Sequence, residues 1–213
     1  MKVLSGISVL ALLIAGAATP SFATSLTPGN VVTPGIVSAN GSILASTGVT
    51  SFNFGGDTGS VEEVVAFNST NPFGANDLAF VYQISVTGGD IVHLTTESFN
   101  VPGILIDVQQ TANGLFAAPT TAALNASLTS DGTTLGFGFT PPDGLTAGMV
   151  SYTLIVNTNM TTFVPGVFSL QDGQTQNFDG FVPAAAPEPG SLALLGTGLL
   201  GVAGVARRKF FRA

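Results

Sequence analysis

The chain has 213 residues, of which 45% are hydrophobic and only 8% charged, against about 25% charged in an ordinary soluble domain. It holds no Cys, no Trp and one His, and its five cations, Lys2, Arg207, Arg208, Lys209 and Arg212, all lie at the extreme ends. Residues 24–186 carry eleven acids and no Lys or Arg, a formal charge of −11, which excludes a phosphate-backbone grip, a Schiff-base lysine, a cysteine nucleophile, an arginine clamp, a disulfide scaffold and a thiolate zinc site.

In chain order, residues 1–23 read as a secretory signal peptide addressed to the export translocon. Lys2 supplies the positive start, residues 9–15 the short apolar stretch, and Ser21 and Ala23 the small residues before a cut after Ala23. Residues 24–48 are rich in Thr, Ser, Pro and Gly. Thr27-Pro28-Gly29 recurs as Thr33-Pro34-Gly35, and the segment reads as extended chain or short edge strands rather than a repeat architecture.

Residues 49–182 read as one antiparallel β-sandwich of jelly-roll or Ig-like type. β-type runs return about every 8–12 residues, predicting strands at 61–67, 78–86, 91–96, 104–108, 124–128, 134–139 and 149–156, with weaker ones at 167–170 and 175–178. The breaks are Asp-Gly pairs at 131–132, 143–144, 172–173 and 179–180, with Gly88-Gly89 and Asn113-Gly114; each offers the positive φ of a tight turn. A helix is conceivable only near residues 120–125. With no Trp and two Tyr, Phe is expected to fill the core.

Residues 183–190 form a linker ending in Pro187-Glu188-Pro189 and Gly190. The two prolines remove two donors and hold Glu188 on an extended chain. Residues 191–206 are apolar on every helical face, which argues for a membrane helix over a buried amphipathic one. At 1.5 Å per residue they span about 24 Å, and snorkelling arginines make up most of the remaining hydrocarbon thickness. Residues 207–213 then form a basic cytoplasmic tail, in which Arg207, Arg208 and Lys209 stop transfer and fix orientation.

The ordered set of Pro187-Glu188-Pro189, apolar span and Arg207-Arg208-Lys209 resembles the PEP-CTERM sorting signal. The resemblance covers about the last 27 residues and extends a little past the usual basic end with Phe210-Phe211-Arg212-Ala213. It implies an exported bacterial protein handed to exosortase, a membrane-embedded cysteine transpeptidase-like enzyme, with Glu188 as the recognised determinant. Such proteins are associated with exopolysaccharide, biofilm or floc. Asn71-Pro72-Phe73-Gly74 with residues 77–83 also resembles a short segment found in many PEP-CTERM proteins, and it implies no chemistry.

The chemical candidates in the body are few. Asp57-Thr58-Gly59-Ser60 matches the aspartic-protease tetrapeptide, whose chemistry needs two carboxylates sharing a proton. Phe54-Gly55-Gly56 precedes it in place of an apolar strand, and a Gly-rich hairpin turn accounts for the same residues. His93, in a strand, could pair with Asp90 or Glu97, yet no Gly-x-Ser-x-Gly elbow accompanies it, and an exposed strand histidine is the plainer reading. Calcium suits the many carboxylates, although no Asp-x-Asp-x-Asp-Gly loop assigns its ligands, and Glu62 and Glu63 fall on opposite faces of one strand. The Asn-x-Ser/Thr sequons at Asn40, Asn68, Asn125 and Asn159 carry little weight in so Ser/Thr-rich a chain.

No catalytic constellation emerges, and no cofactor is expected beyond calcium. The sequence therefore points to an exported structural or adhesive protein. It is anchored in the inner membrane before processing and then resides at the cell surface or in the extracellular matrix. Its expected partners are the translocon, an exosortase-type enzyme and exopolysaccharide bridged by divalent cations, with nucleic acid excluded. A secreted hydrolase and a permanently anchored binding module are the alternatives.

Overall fold

A computed structural model of the protein describes residues 24–139 and 144–185 together with Thr197. Ser21 and Ala23, Asp143, Pro187-Glu188-Pro189 and Arg207-Arg208-Lys209 lie outside the described residues, as do the signal helix and, Thr197 apart, the membrane helix expected from the sequence. Among the described residues no helix is long and apolar enough to cross a membrane.

Apart from Thr197, which is helical, the described chain is all-β. The first strands are β1 (Val31–Val32), β2 (Gly35–Ile36), β3 (Gly41–Ser46), β4 (Thr50–Phe54) and β5 (Asp57–Asn68). They are followed by β6 (Leu78–Gly88), β7 (Asp90–Ile91), β8 (His93–Thr96), β9 (Ile106–Thr111) and β10 (Asn125–Leu128). β11 (Leu135–Gly138), β12 (Leu145–Thr146), β13 (Thr153–Thr158), β14 (Thr162–Asp172) and β15 (Gln174–Ala184) complete the series. One sheet has the order β1-β10-β11-β8-β14-β15 and is antiparallel throughout. The larger sheet has the order β2-β9-β13-β6-β5-β3, with β4 also paired to β5. Its single parallel pairing is β2 with β9. β7 and β12 form a small ribbon of their own.

Period-two alternation explains which residues make the core. In β6, Leu78, Phe80, Tyr82, Ile84 and Val86 face inward, whereas Ala79 and Val81 belong to a second, smaller cluster on the outer face. The inward set joins Leu94, Ala126, Phe137, Phe168 and Leu170 of the other sheet in one buried cluster. Tyr82 and Phe168 meet across it edge to face at 5.6 Å, and Phe168 stacks on Phe178 at 5.2 Å.

Residues 24–48 contribute β1, β2 and β3, and Ser25 bridges to Asp107. The predicted strand at 91–96 is interrupted at Val92. β7 pairs with β12, β8 joins the six-stranded sheet, and the Val92 backbone bonds Gln171 and Phe139 between them. The strand expected at 149–156 is confined to β13, and no helix forms near residues 120–125.

Gly89, Gly132, Gly144 and Gly173 take the positive φ that their turns require. Two expected turns are not turns of that kind. β15 runs straight through Asp179-Gly180 in register with β14, and a side chain at Gly180 would collide with the Glu63 carboxyl and with Phe168. Gly114 has no positive φ either, and a Cβ there would strike the Ala117 carbonyl. Both glycines are present for clearance rather than for backbone torsion.

Candidate functional site

The end of the described body is held firmly up to the sorting region. β14 and β15 form an 11-on-11 hairpin with a continuous register from Asp172↔Gln174 to Thr162↔Ala184. Its open end is closed by the Thr162 hydroxyl, which donates to the Ala184 carbonyl at 2.8 Å, and by an edge-to-face contact of Phe163 with Phe181 at 5.4 Å. The chain therefore leaves the fold from an edge strand, three residues before Pro187. Three residues reach at most about 11 Å.

Asp57 opens β5 directly after a two-residue turn, in which Gly55 (φ 63°) and Gly56 (φ 109°) both have the positive φ of a hairpin of this length. The Gly of the protease-like tetrapeptide has a packing reason, since a Cβ at Gly59 would collide with the Ser85 carbonyl and the Phe52 ring. Asp57 is only 3% exposed. Its Oδ1 accepts a bond from the Asp90 N–H at 3.1 Å, while its Oδ2 is buried without a hydrogen-bond partner. Asp90 begins β7 and Asp172 ends β14. Carboxylate oxygens of Asp57, Asp90 and Asp172 all lie within 4.8 Å of one another.

Glu62 and Glu63 point to opposite sides of β5. Glu62 faces out and accepts from the Ser46 hydroxyl at 2.7 Å. Glu63 faces the core between Val61 and Val65 and is fully buried. Its Oε2 accepts from the Phe181 N–H of β15 at 2.9 Å, linking the two sheets, and Oε1 has no partner of good geometry. Burial pushes this carboxyl up to about 8, with the Phe181 N–H and the neighbouring Tyr82 hydroxyl pulling more weakly the other way. Tyr82 is held well above its ordinary value by burial and by the Glu63 charge.

A polar ladder crosses the outer face of the larger sheet. Asn68 donates to Asn157 at 2.8 Å, and Asn157 donates to Asp107 at 2.9 Å. Burial raises the Asp107 carboxyl, against the Asn157 bond and weaker pulls from the Thr24 N–H and Gln109, and its Oδ1 has no partner of good geometry. Asn68, a sequon residue, is buried in this ladder. Alongside it, Gln83 Oε1 accepts three consecutive N–H groups, from Leu115, Phe116 and Ala117, at 2.9–3.0 Å. The loop so held flanks a concavity of about 300 Å³ floored by Val64, Val81 and Ile155 and edged by Asn68, Asn113 and Thr153.

His93 is exposed at the start of β8, in register with Gly138 on one side and Gln171 on the other. The Asp131-Gly132 turn is an exposed loop device. Bonds from the Thr129 hydroxyl and from the Thr133 N–H and hydroxyl hold the Asp131 carboxyl down at about 2. In the sequence Asp57 and Asp90 belong to separate candidate sites and Asp172 to a turn, and only the fold brings the three together.

The family model described as the PEP-CTERM protein-sorting motif matches residues 185–209 of the chain. Its first residue follows the last residue of β15 directly. No curated protein and no solved structure matches the chain. The protein thus carries a PEP-CTERM sorting motif, the mark of an exported protein that exosortase sorts through a membrane-anchored intermediate.

Proposed function

We propose that this protein is a structural or adhesive component of the cell surface or extracellular matrix, delivered there when exosortase acts at Pro187-Glu188-Pro189. The observation that carries the proposal is the junction itself: the matched motif starts at residue 185, immediately after the pinned end of β15. A processing enzyme working at Glu188 then meets a short tether close to a stiff hairpin rather than a long free linker. In this reading the body is a β-sandwich of jelly-roll or Ig-like type, a reading favoured by the single core cluster drawn from both sheets. It is delivered whole, as an acidic module without a Lys or Arg. Its charge would repel acidic exopolysaccharide, so retention in such a matrix needs divalent cations between them.

The test replaces Glu188 with Gln and deletes residues 207–213 in the native host, followed by fractionation. The native chain is expected in the surface or extracellular fraction, released from the matrix by EGTA. The variant is expected to accumulate unprocessed in the inner membrane. Arrival of the variant at the same place with the same trimmed end would overturn the sorting reading, and matrix retention indifferent to EGTA would overturn cation bridging.

A further inference from the structure

We infer that Asp57, Asp90 and Asp172 form a calcium site that clips the two sheets together at the closed end of the β14–β15 hairpin, opposite the end from which the chain runs on to residue 185. The three residues are 33 and 82 positions apart in sequence and come from the larger sheet, the β7–β12 ribbon and the six-stranded sheet. Their carboxylate oxygens nevertheless lie within 4.8 Å of one another. Calcium–oxygen distances of about 2.3–2.6 Å place any two ligands of one ion within about 5 Å of each other. The spacing is that of a shared ion.

The second observation is the Asp57 carboxyl itself. It is 3% exposed, its Oδ1 is engaged by the Asp90 N–H, and its Oδ2 is unpartnered. A buried carboxylate oxygen without a partner is costly, and like charges at this range add to the cost. A cation removes both penalties at once, and residues 24–186 supply neither Lys nor Arg to do so. The surroundings are shaped to hold the carboxyl in place, because a Cβ at Gly89 would collide with Asp57 Oδ1. The Cβ position of Gly55 lies 3.6 Å from both Asp57 Oδ2 and Gln174 Oε1, so the Gln174 amide lies near the rim of the same site.

The donor set selects the metal. Every candidate ligand is a hard oxygen, and a flexible set drawn from a turn, a ribbon and a strand end suits calcium better than the strict octahedron of magnesium. Three carboxylates on such a frame fit the affinity of extracellular calcium modules, about 10⁻⁴ to 10⁻³ M. β15 starts beside the site and ends at the motif, a run of about 33 Å at 3.3 Å per residue. An ion here would lock the closed end of the β14–β15 hairpin while the open end is processed. That consequence depends on export; binding itself depends only on the geometry.

The experiment titrates CaCl2, and separately MgCl2, into the full chain purified in detergent and stripped with EGTA, with calorimetry and thermal melting as readouts. One Ca²⁺ per chain is expected, with a raised melting midpoint and much weaker Mg²⁺ binding. Asp172→Asn, at a half-buried position, is expected to weaken Ca²⁺ by more than about tenfold and to abolish the midpoint shift. Asp57→Asn should do the same, and Asp131→Asn, an exposed acid elsewhere, should change neither. The inference is overturned if millimolar Ca²⁺ gives no saturable binding, if Asp172→Asn binds as the native chain does, or if Asp131→Asn weakens binding equally. None of these outcomes depends on exosortase.

Discussion

Glu63 shows how a single residue can set the pH behaviour of this body. Its carboxyl is held at about 8 in the folded protein, against 4.5 for an ordinary glutamate. Between those values the folded state keeps a proton that the unfolded chain releases. Its contribution to stability is therefore complete below pH 4.5 and is lost as pH rises through about 8. Across that window the loss is about 5 kcal/mol. Asp107 is raised in the same direction, so comparison with Glu63→Gln isolates the Glu63 part. Glutamine keeps an acceptor for the Phe181 N–H and carries no charge. Urea midpoints measured at pH 5 and pH 8.5 are expected to fall for the native chain and to change far less for Glu63→Gln; parallel falls would refute the assignment. The opposite facing of Glu62 and Glu63 was legible in the sequence, because alternation along a strand is local. The burial of Glu63 was not, because the space for its carboxyl is opened by Gly180 and its bond comes from Phe181, 118 residues away.

At the scale of elements, the sequence is most informative where local torsion decides and least where packing decides. Asp172-Gly173 is a turn, with Gly173 at φ 61° between β14 and β15. Asp179-Gly180 is the same dipeptide inside a strand, and the difference lies in the surroundings: Gly173 faces open space, whereas Gly180 faces the Glu63 carboxyl and Phe168 across the core. Likewise 91–96 is one β-type run in sequence but serves two sheets, a division set by where β12, β11 and β14 approach it. The middle of the 112–120 loop is held by one side chain in another element, Gln83 of β6, which caps three successive donors and also donates to the Ala117 carbonyl at 2.9 Å. Gln83→Ala leaves those donors without that acceptor, at about 1–3 kcal/mol for each one kept from water. Hydrogen exchange should show the amides of Leu115, Phe116 and Ala117 losing protection while β14 and β15 keep theirs. Unchanged exchange at those three amides would show that the loop is held by something else.

For the whole molecule, chemistry is distributed by sequence distance. The sorting motif was legible outright, because its determinants are contiguous and need no tertiary structure to be read. The acid cluster was not, since Asp57, Asp90 and Asp172 meet only after three separate strand systems are assembled. The body between the ends lacks Lys and Arg altogether. Its cohesion comes from apolar burial, sheet hydrogen bonds and a few buried polar groups, without the surface ion pairs that contribute little in any case. That same lack means trypsin has no site within residues 24–186, so intact mass is the direct way to follow processing.

The most direct measurement is the intact mass of the mature chain from hosts that have and lack exosortase. With the enzyme, the chain is expected to begin at Thr24 and to lack the segment beyond Pro187-Glu188-Pro189. Without it, the same chain is expected to keep Arg207, Arg208 and Lys209. A chain that retains its full C-terminal segment in both hosts would contradict the account.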